Sequence, residues 1–264
     1  MNNRNNELWQ LGRYVFFTFC LLQSSLSFAE PRFFDLTHPF DEKTIYWPTS
    51  KAFQLEEVHK GLTDKGFWYE SNNIRASEHG GTHLDAPAHF AKGKWHVDDI
   101  PLDRLIAPGI LIDVRKQVLE NPDYRITQKD LIKWEERNGE IPEDCIVLIQ
   151  TGWEDHWHNK KKYLGTDKPG DTKNLHFPGI GESAAQYLVK RKIAAVGLDT
   201  PSLDYGKSKT FPAHQVLGKA NILGFENIFN LKNLAGKKFR VIALPMKIAG
   251  GSGAPLRIIA ELEK

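Results

Sequence analysis

Two adjacent glycines and a proline interrupt the densest group of polar side chains in the sequence, His79-Gly-Gly-Thr-His83-Leu-Asp85-Ala-Pro-Ala-His89. Inside a helix a glycine costs about 1 kcal/mol and a proline about 3 kcal/mol relative to alanine, so a continuous helix is excluded across this block. Its imidazoles and carboxylate must therefore be presented from extended chain and turns. On a strand, His83 and Asp85 share one face at period two, while Gly80-Gly81 lets the backbone bend and bring His79 round. Pro87 stiffens the exit and holds His89 in a fixed direction, open either to binding a metal or to moving protons. Imidazole nitrogens bind a borderline divalent cation, and an anionic oxygen beside them lowers its charge while leaving it acidic enough to ionise water. Three histidines and an aspartate at this density are the ingredients of such a site, and the chain reads as a metallohydrolase.

Around that block the chain reads as one domain behind a leader. Arg4 and Arg13 precede an apolar run from Tyr14 to Leu22, followed by Ser27 and Ala29 flanking Phe28. This is the pattern of an export signal over residues 1–29, cleaved after Ala29. The run falls well short of the ~20 residues a spanning helix needs, and no later stretch is apolar enough to span a bilayer. The expectation is a secreted or periplasmic protein whose mature chain, residues 30–264, forms a single catalytic domain with no membrane contact after cleavage. Cys20 lies in the leader and Cys145 in an apolar run, so the mature chain has no internal disulfide, and Cys145 reads as a small core residue. The 35 Lys and Arg residues nearly cancel the 33 Asp and Glu and are interspersed with them, which leaves no basic stripe for nucleic acid. Lys160, Lys161 and Lys162 read as a solvated loop with too few charges for a membrane patch. No Asn-x-Ser/Thr acceptor occurs, so glycosylation gives no clue to the compartment.

Short β-rich runs at 109–114, 145–150, 193–198, 239–244 and 256–260 read as buried strands and the probable core. One helix is expected to open at Thr127, with Asp130 three residues on as an approximate capping box, and to close at Asn138-Gly139. A second is expected over 183–190, with Ala184, Leu188 and Val189 on one side. Strands and helices together indicate an α/β or α+β domain. Gly250-Gly251-Ser252-Gly253 is followed by Ala254 and Pro255, so it is neither a phosphate loop nor a Gly-x-Ser-x-Gly elbow. Its glycines suit a tight turn or a close backbone approach to a site. His214 and Glu226, taken alone, read as ordinary surface or satisfied residues. His38, His59, His96, His156, His158 and His176 read as structural or surface groups.

The central block resembles the His-x-Gly-Thr-His-x-Asp-x-Pro-x-His signature of the cyclase family, which includes bacterial-type kynurenine formamidases and isatin hydrolases. Tyr46-Trp47-Pro48, Thr151-Gly152-Trp153, Gly197-Leu-Asp-Thr200 and Gly250-Gly-Ser-Gly253 support the likeness, which covers nearly all of the mature chain. The resemblance implies a swivelling β/β/α fold around a β-sheet core, assembled as a homodimer or homotetramer. It implies metal ligation by His79, His83 and Asp85, with Asp85 reaching a second ion completed by His214 and Glu226. His89 would be the proton donor and acceptor, and Trp47 would contact substrate. The ions would be Zn2+ or Mn2+, one or two per chain, with Glu226 favouring two because isatin hydrolases replace that residue. The implied reaction is hydrolysis of a small aryl amide by metal-activated hydroxide, as in cleavage of N-formylkynurenine to kynurenine and formate, with ring opening of a cyclic amide as the alternative. Tyr46, Trp47, Phe67, Trp68 and Tyr69 offer flat faces for an aryl group. A reading from another class is a secreted metal-dependent binder of an aromatic metabolite that does not cleave it, against which the intact His89 argues.

Overall fold

The computed structural model describes residues 32–263, so the leader at 1–29, its cleavage point and Cys20 lie outside the described residues. The strands are β1 (Phe33–Asp35), β2 (Gln54–Leu62), β3 (Trp68–Arg75), β4 (His83–Asp85), β5 (Ile106–Asp113), β6 (Arg125–Ile126), β7 (Ile146–Gln150), β8 (Gly179–Ile180), β9 (Ala195–Leu198), β10 (Leu223–Glu226), β11 (Phe239–Pro245) and β12 (Gly253–Leu262). The helices are α1 (Arg115–Glu120), α2 (Gln128–Asn138), α3 (Lys160–Leu164), α4 (Glu182–Lys190) and α5 (Pro212–Lys219).

The main sheet runs β12-β11-β5-β7-β9-β10-β4, and β4 then pairs with β12, which closes the sheet into a barrel. Strands β5, β7, β9 and β10 pair in parallel; β11, β12 and β4 complete the circuit antiparallel. The long β12 also carries β1 on the stretch beyond β4. This is the mixed α/β architecture that the pattern of strands and helices led one to expect. Closure was not expected from any single run, because it depends on the three-residue strand β4 finding partners on both sides.

Side-chain alternation divides the apolar residues between two clusters. Ile146 and Leu148 of β7 face a barrel interior shared with Phe225, Val241, Ala254 and Ile258, whereas Val147 and Ile149 face a layer formed with Leu131 of α2, Leu188 of α4 and Leu217 of α5. A strand buried on both faces needs an unbroken apolar run, and this is why Cys145-Ile-Val-Leu-Ile could be recognised. Each such side chain contributes about 1.5–3 kcal/mol on burial. Cys145 is fully buried, and burial pushes its thiol up to about 12, as befits a core residue. Helix α2 has the expected capping box, with Thr127 N donating to Asp130 Oδ2 at 2.8 Å, and it stops at Gly139 in positive φ. Lys160–Lys162 do not form a loop, as the charge run suggested, but open α3, with the Asn159 side chain capping Lys162 N. These elements belong to one compact unit. Among the described residues no helix is long and apolar enough to cross a membrane.

Candidate metal centre

The register around β4 gathers the donors. His83 lies directly opposite Glu226 of β10, and Asp85 lies opposite Gly224 on one side and Gly253 of β12 on the other. Because Leu84 and Phe225 point into the barrel, His83, Asp85 and Glu226 project from its outer face. The paired glycines leave that face open. A Cβ at Gly253 would lie 2.4 Å from His79 Cε1, and one at Gly224 would lie 3.3 Å from Asp85 Cβ. Helix α5 covers the same face and brings His214 down onto the carboxylates.

Asp85 is the hub. Its Oδ1 lies 2.7 Å from His79 Nδ1 and 3.2 Å from His83 Nε2, and its Oδ2 lies 3.1 Å from His214 Nε2. Glu226 Oε1 is 3.2 Å from His214 Nε2, and its Oε2 is 3.5 Å from His83 Nε2. Two triads result, His79 with His83 and Asp85, and Asp85 with His214 and Glu226, each with donor atoms within 4.8 Å of one another. His83 Nδ1 donates to Gly81 O at 3.0 Å, which turns the Nε2 lone pair towards the carboxylates. His214 Nδ1 donates to Asp204 Oδ2 at 2.6 Å, and Asp204 also accepts from the backbone N–H groups of Ala213 and His214. Asp204 is fully buried and fixes the ring of His214 much as a carboxylate fixes a metal-binding histidine.

Burial penalises charge on all of these groups, and their contacts with one another work against it. Burial alone would lower His83, but Asp85 and Glu226 push it up to about 9; His214 is driven up in the same way by Asp204, Asp85 and Glu226. Asp85 is pulled down by the surrounding imidazoles in spite of burial, while burial and then the charge of Asp85 raise Glu226. Two buried carboxylates this close require positive charge between them; protonated imidazoles supply it here, and a divalent cation held by the same nitrogens and oxygens would supply it in their place.

His89 sits in a short 3-10 turn, Pro87–His89, with its ring stacked on His79 at 3.8 Å between centroids and 6.1 Å from that of His214. Among the described residues neither of its ring nitrogens has a hydrogen-bond partner. Burial holds it down at about 4, so it is neutral near pH 7.

A cavity of about 210 Å³ opens onto the cluster and is lined by Trp47, His79, His83, His89, His214 and Glu226, among others. Tyr46 and Trp47 line it, whereas Phe67, Trp68 and Tyr69 lie on the β2–β3 hairpin and are about half exposed. Phe90 and Phe211, which the sequence did not single out, take their place, with ring centroids 5.3 Å apart and Phe211 6.2 Å from Trp47. Asp204 and the Glu78–Ser252 pair beside His79 were missed as well. No spacing marks Asp204, and Ser252 was seen only as part of a glycine-rich turn.

Fold and site together define an α/β-barrel protein with a donor set that fits a divalent cation beneath an aromatic cleft. The chain belongs to the cyclase family: the model of that family, described as "Putative cyclase", matches residues 34–205. It is 35% identical over 219 residues to an isatin hydrolase of Roseibium aggregatum, covering 79% of this chain and 81% of that protein. It is 27% identical over 227 residues to a kynurenine formamidase of Salinibacter ruber, covering 85% of this chain and 95% of that one. The solved structure of isatin hydrolase A from Ralstonia solanacearum superposes with a TM-score of 0.79 at 31% identity, covering 88% of this chain and 92% of its own.

Proposed function

We propose that this protein is a metal-dependent hydrolase that cleaves the C–N bond of a small aryl amide, with His79, His83, Asp85, His214 and Glu226 as metal ligands and His89 as the proton carrier. The observation that carries this reading is the convergence of five donors, four of them lining a cavity walled by Trp47, Phe90 and Phe211. A bound divalent cation supplies Lewis acidity for the carbonyl and acidity for water. The two triads meeting at Asp85 support two ions, Zn2+ or Mn2+. His83 and His214, each with Nδ1 committed to a hydrogen bond, present Nε2 at fixed angles. Trp47, Phe90 and Phe211 orient the aryl ring and keep bulk water from the cluster. His89 takes a proton at its open ring nitrogen and returns it to the departing amine nitrogen, so that the leaving group departs neutral.

Acyclic N-formyl aryl amines, of which N-formylkynurenine is the type, are the first substrate class, and Glu226 in the second triad supports it. Opening of a cyclic amide such as isatin is the second, supported by the higher identity to the isatin hydrolase. Both substrates should be offered to protein loaded with Zn2+ or Mn2+, with turnover and bound substrate measured separately. The expected outcome is turnover of at least one, abolished by a chelator and restored by the metal. Binding of either without turnover would instead establish a non-catalytic binder, and full activity after chelation would overturn the metal reading.

A further inference from the structure

The loop Gly250-Gly-Ser-Gly253 is strapped to the site in a way that neither metal ligation nor the proton carrier explains. Ser252 O accepts from Ala86 N at 2.9 Å, Gly251 O accepts from Val97 N at 2.9 Å, and Gly250 N donates to Asp98 Oδ1 at 2.8 Å. The strap fixes the Ser252 side chain between two polar groups. Its Oγ lies 2.7 Å from Glu78 Oε2, which also accepts from Ser252 N at 3.1 Å, and 3.0 Å from His79 Nε2.

Proton counting determines the direction of this chain. A carboxylate has no proton to give, so the hydroxyl proton of Ser252 belongs to the bond with Glu78. The oxygen can then only accept from His79, which commits Nε2 as a donor. Nδ1 is left facing Asp85 Oδ1 2.7 Å away, the direction in which a cation would be shared with that carboxylate. His83 and His214 are set the other way, with Nδ1 as donor and Nε2 facing the carboxylates. His79 is therefore the exception among the three, and it alone reaches its supporting carboxylate through a hydroxyl.

We propose that Ser252 and Glu78 are positioning residues that fix the tautomer of His79, making Nδ1 its metal-binding nitrogen. This rests on the metal reading above. The ring is closely packed, stacked on His89 and so near Gly253 that a Cβ there would come within 2.4 Å of Cε1. Hydrogen bonding from the distal nitrogen towards a carboxylate also makes the proximal nitrogen a stronger donor, and losing such a partner costs 10- to 100-fold in metal affinity.

The test uses the full protein labelled with 15N in its histidine rings and titrated with Zn2+, read by long-range 1H–15N correlation spectra. In the wild type, His79 is expected to be protonated at Nε2, with Nδ1 carrying the shift of a zinc ligand. Glu78→Gln puts an amide donor where the acceptor was, so the Ser252 hydroxyl turns its proton towards Nε2. Zinc affinity should fall 10- to 100-fold, with the His79 proton moving to Nδ1 in the zinc-free form. Ser252→Ala should weaken zinc similarly and Ser252→Thr should restore it, while the zinc-free melting temperatures stay together. Zinc on His79 Nε2 in the wild type, or unchanged zinc affinity in folded Glu78→Gln, overturns the assignment while leaving the metal centre standing. A wild type that binds no zinc overturns both. Should the variants fail to fold, the wild-type spectrum alone decides.

Discussion

At the scale of single residues, the site distinguishes histidines that hold from a histidine that works. His79, His83 and His214 each have one nitrogen engaged outside the cluster and the other directed into it. Among the described residues His89 has neither nitrogen engaged, although it stacks on His79 and lines the cavity. A group kept free of partners but fixed in direction by Pro87 suits proton transfer better than coordination. Replacing His89 with alanine should therefore leave metal content unchanged while kcat falls by about 10²-fold or more. Metal analysis of the purified variant alongside steady-state rates checks this. Loss of metal in step with activity would make His89 a ligand instead.

At the scale of elements, the hairpin β2–β3 stands apart. Leu55, Leu62, Trp68 and Ile74 are each more than half exposed, and among the described residues β2 and β3 pair only with each other. A two-stranded hairpin is marginal in water unless something covers it, and here the exposed apolar pairs Leu55–Ile74 and Leu62–Trp68 stand at its two ends with the Lys60–Glu70 ion pair between them. We infer a second copy of the chain as the cover, in line with the dimer or tetramer implied by the family resemblance. Trp68→Glu should shift the wild-type oligomer towards monomer in sedimentation velocity without loss of bound metal, and a wild type that is already monomeric would remove the inference. The hairpin also illustrates what the sequence could not convey. Strand β7 and helix α2 were legible because their signals are local: an unbroken apolar run in one, Thr127, Asp130 and Gly139 in the other. The hairpin went unread because its apolar residues face no partner within the described chain, and α5 because it is only eight residues long and carries Pro212 and Gly218 beside its short apolar stripe of Ala213 and Leu217. The site divides along the same line. His79 to His89 lie within one stretch and could be read directly, whereas His214 and Glu226 acquired meaning only from resemblance. Asp204, Phe90 and Phe211 are brought in by tertiary packing, which leaves no mark in the spacing of residues.

At the scale of the whole molecule, acid stability reflects buried groups far from their ordinary ionisation, and two of them pull in opposite directions. His38 is 4% exposed, stacked on Trp157 at 3.9 Å, and its Nε2 is buried without a partner; burial, and then the charge of His158, lower it from 6.5 to about 3. Between about pH 3 and 6.5 the unfolded chain binds a proton there that the folded chain refuses, so stability falls as pH drops through this window. Glu154 behaves inversely, since burial and the neighbouring Asp199 raise it from 4.5 to about 7. Between those values the folded chain keeps a proton that the unfolded chain has lost, so this contribution falls as pH rises. The two slopes offset each other between about pH 4.5 and 6.5, and below 4.5 the His38 slope is no longer opposed by Glu154. His38→Phe keeps a flat ring against Trp157 but has no proton to bind. Relative to the wild type, this variant should gain stability progressively as pH falls from 6.5 towards 3, by up to about 1.4 kcal/mol per pH unit. Urea unfolding of chelator-treated protein at several pH values between 4 and 7 measures that difference directly. Parallel curves for variant and wild type would mean that His38 is protonated in the folded chain, and the acid sensitivity would then have to come from the carboxylates.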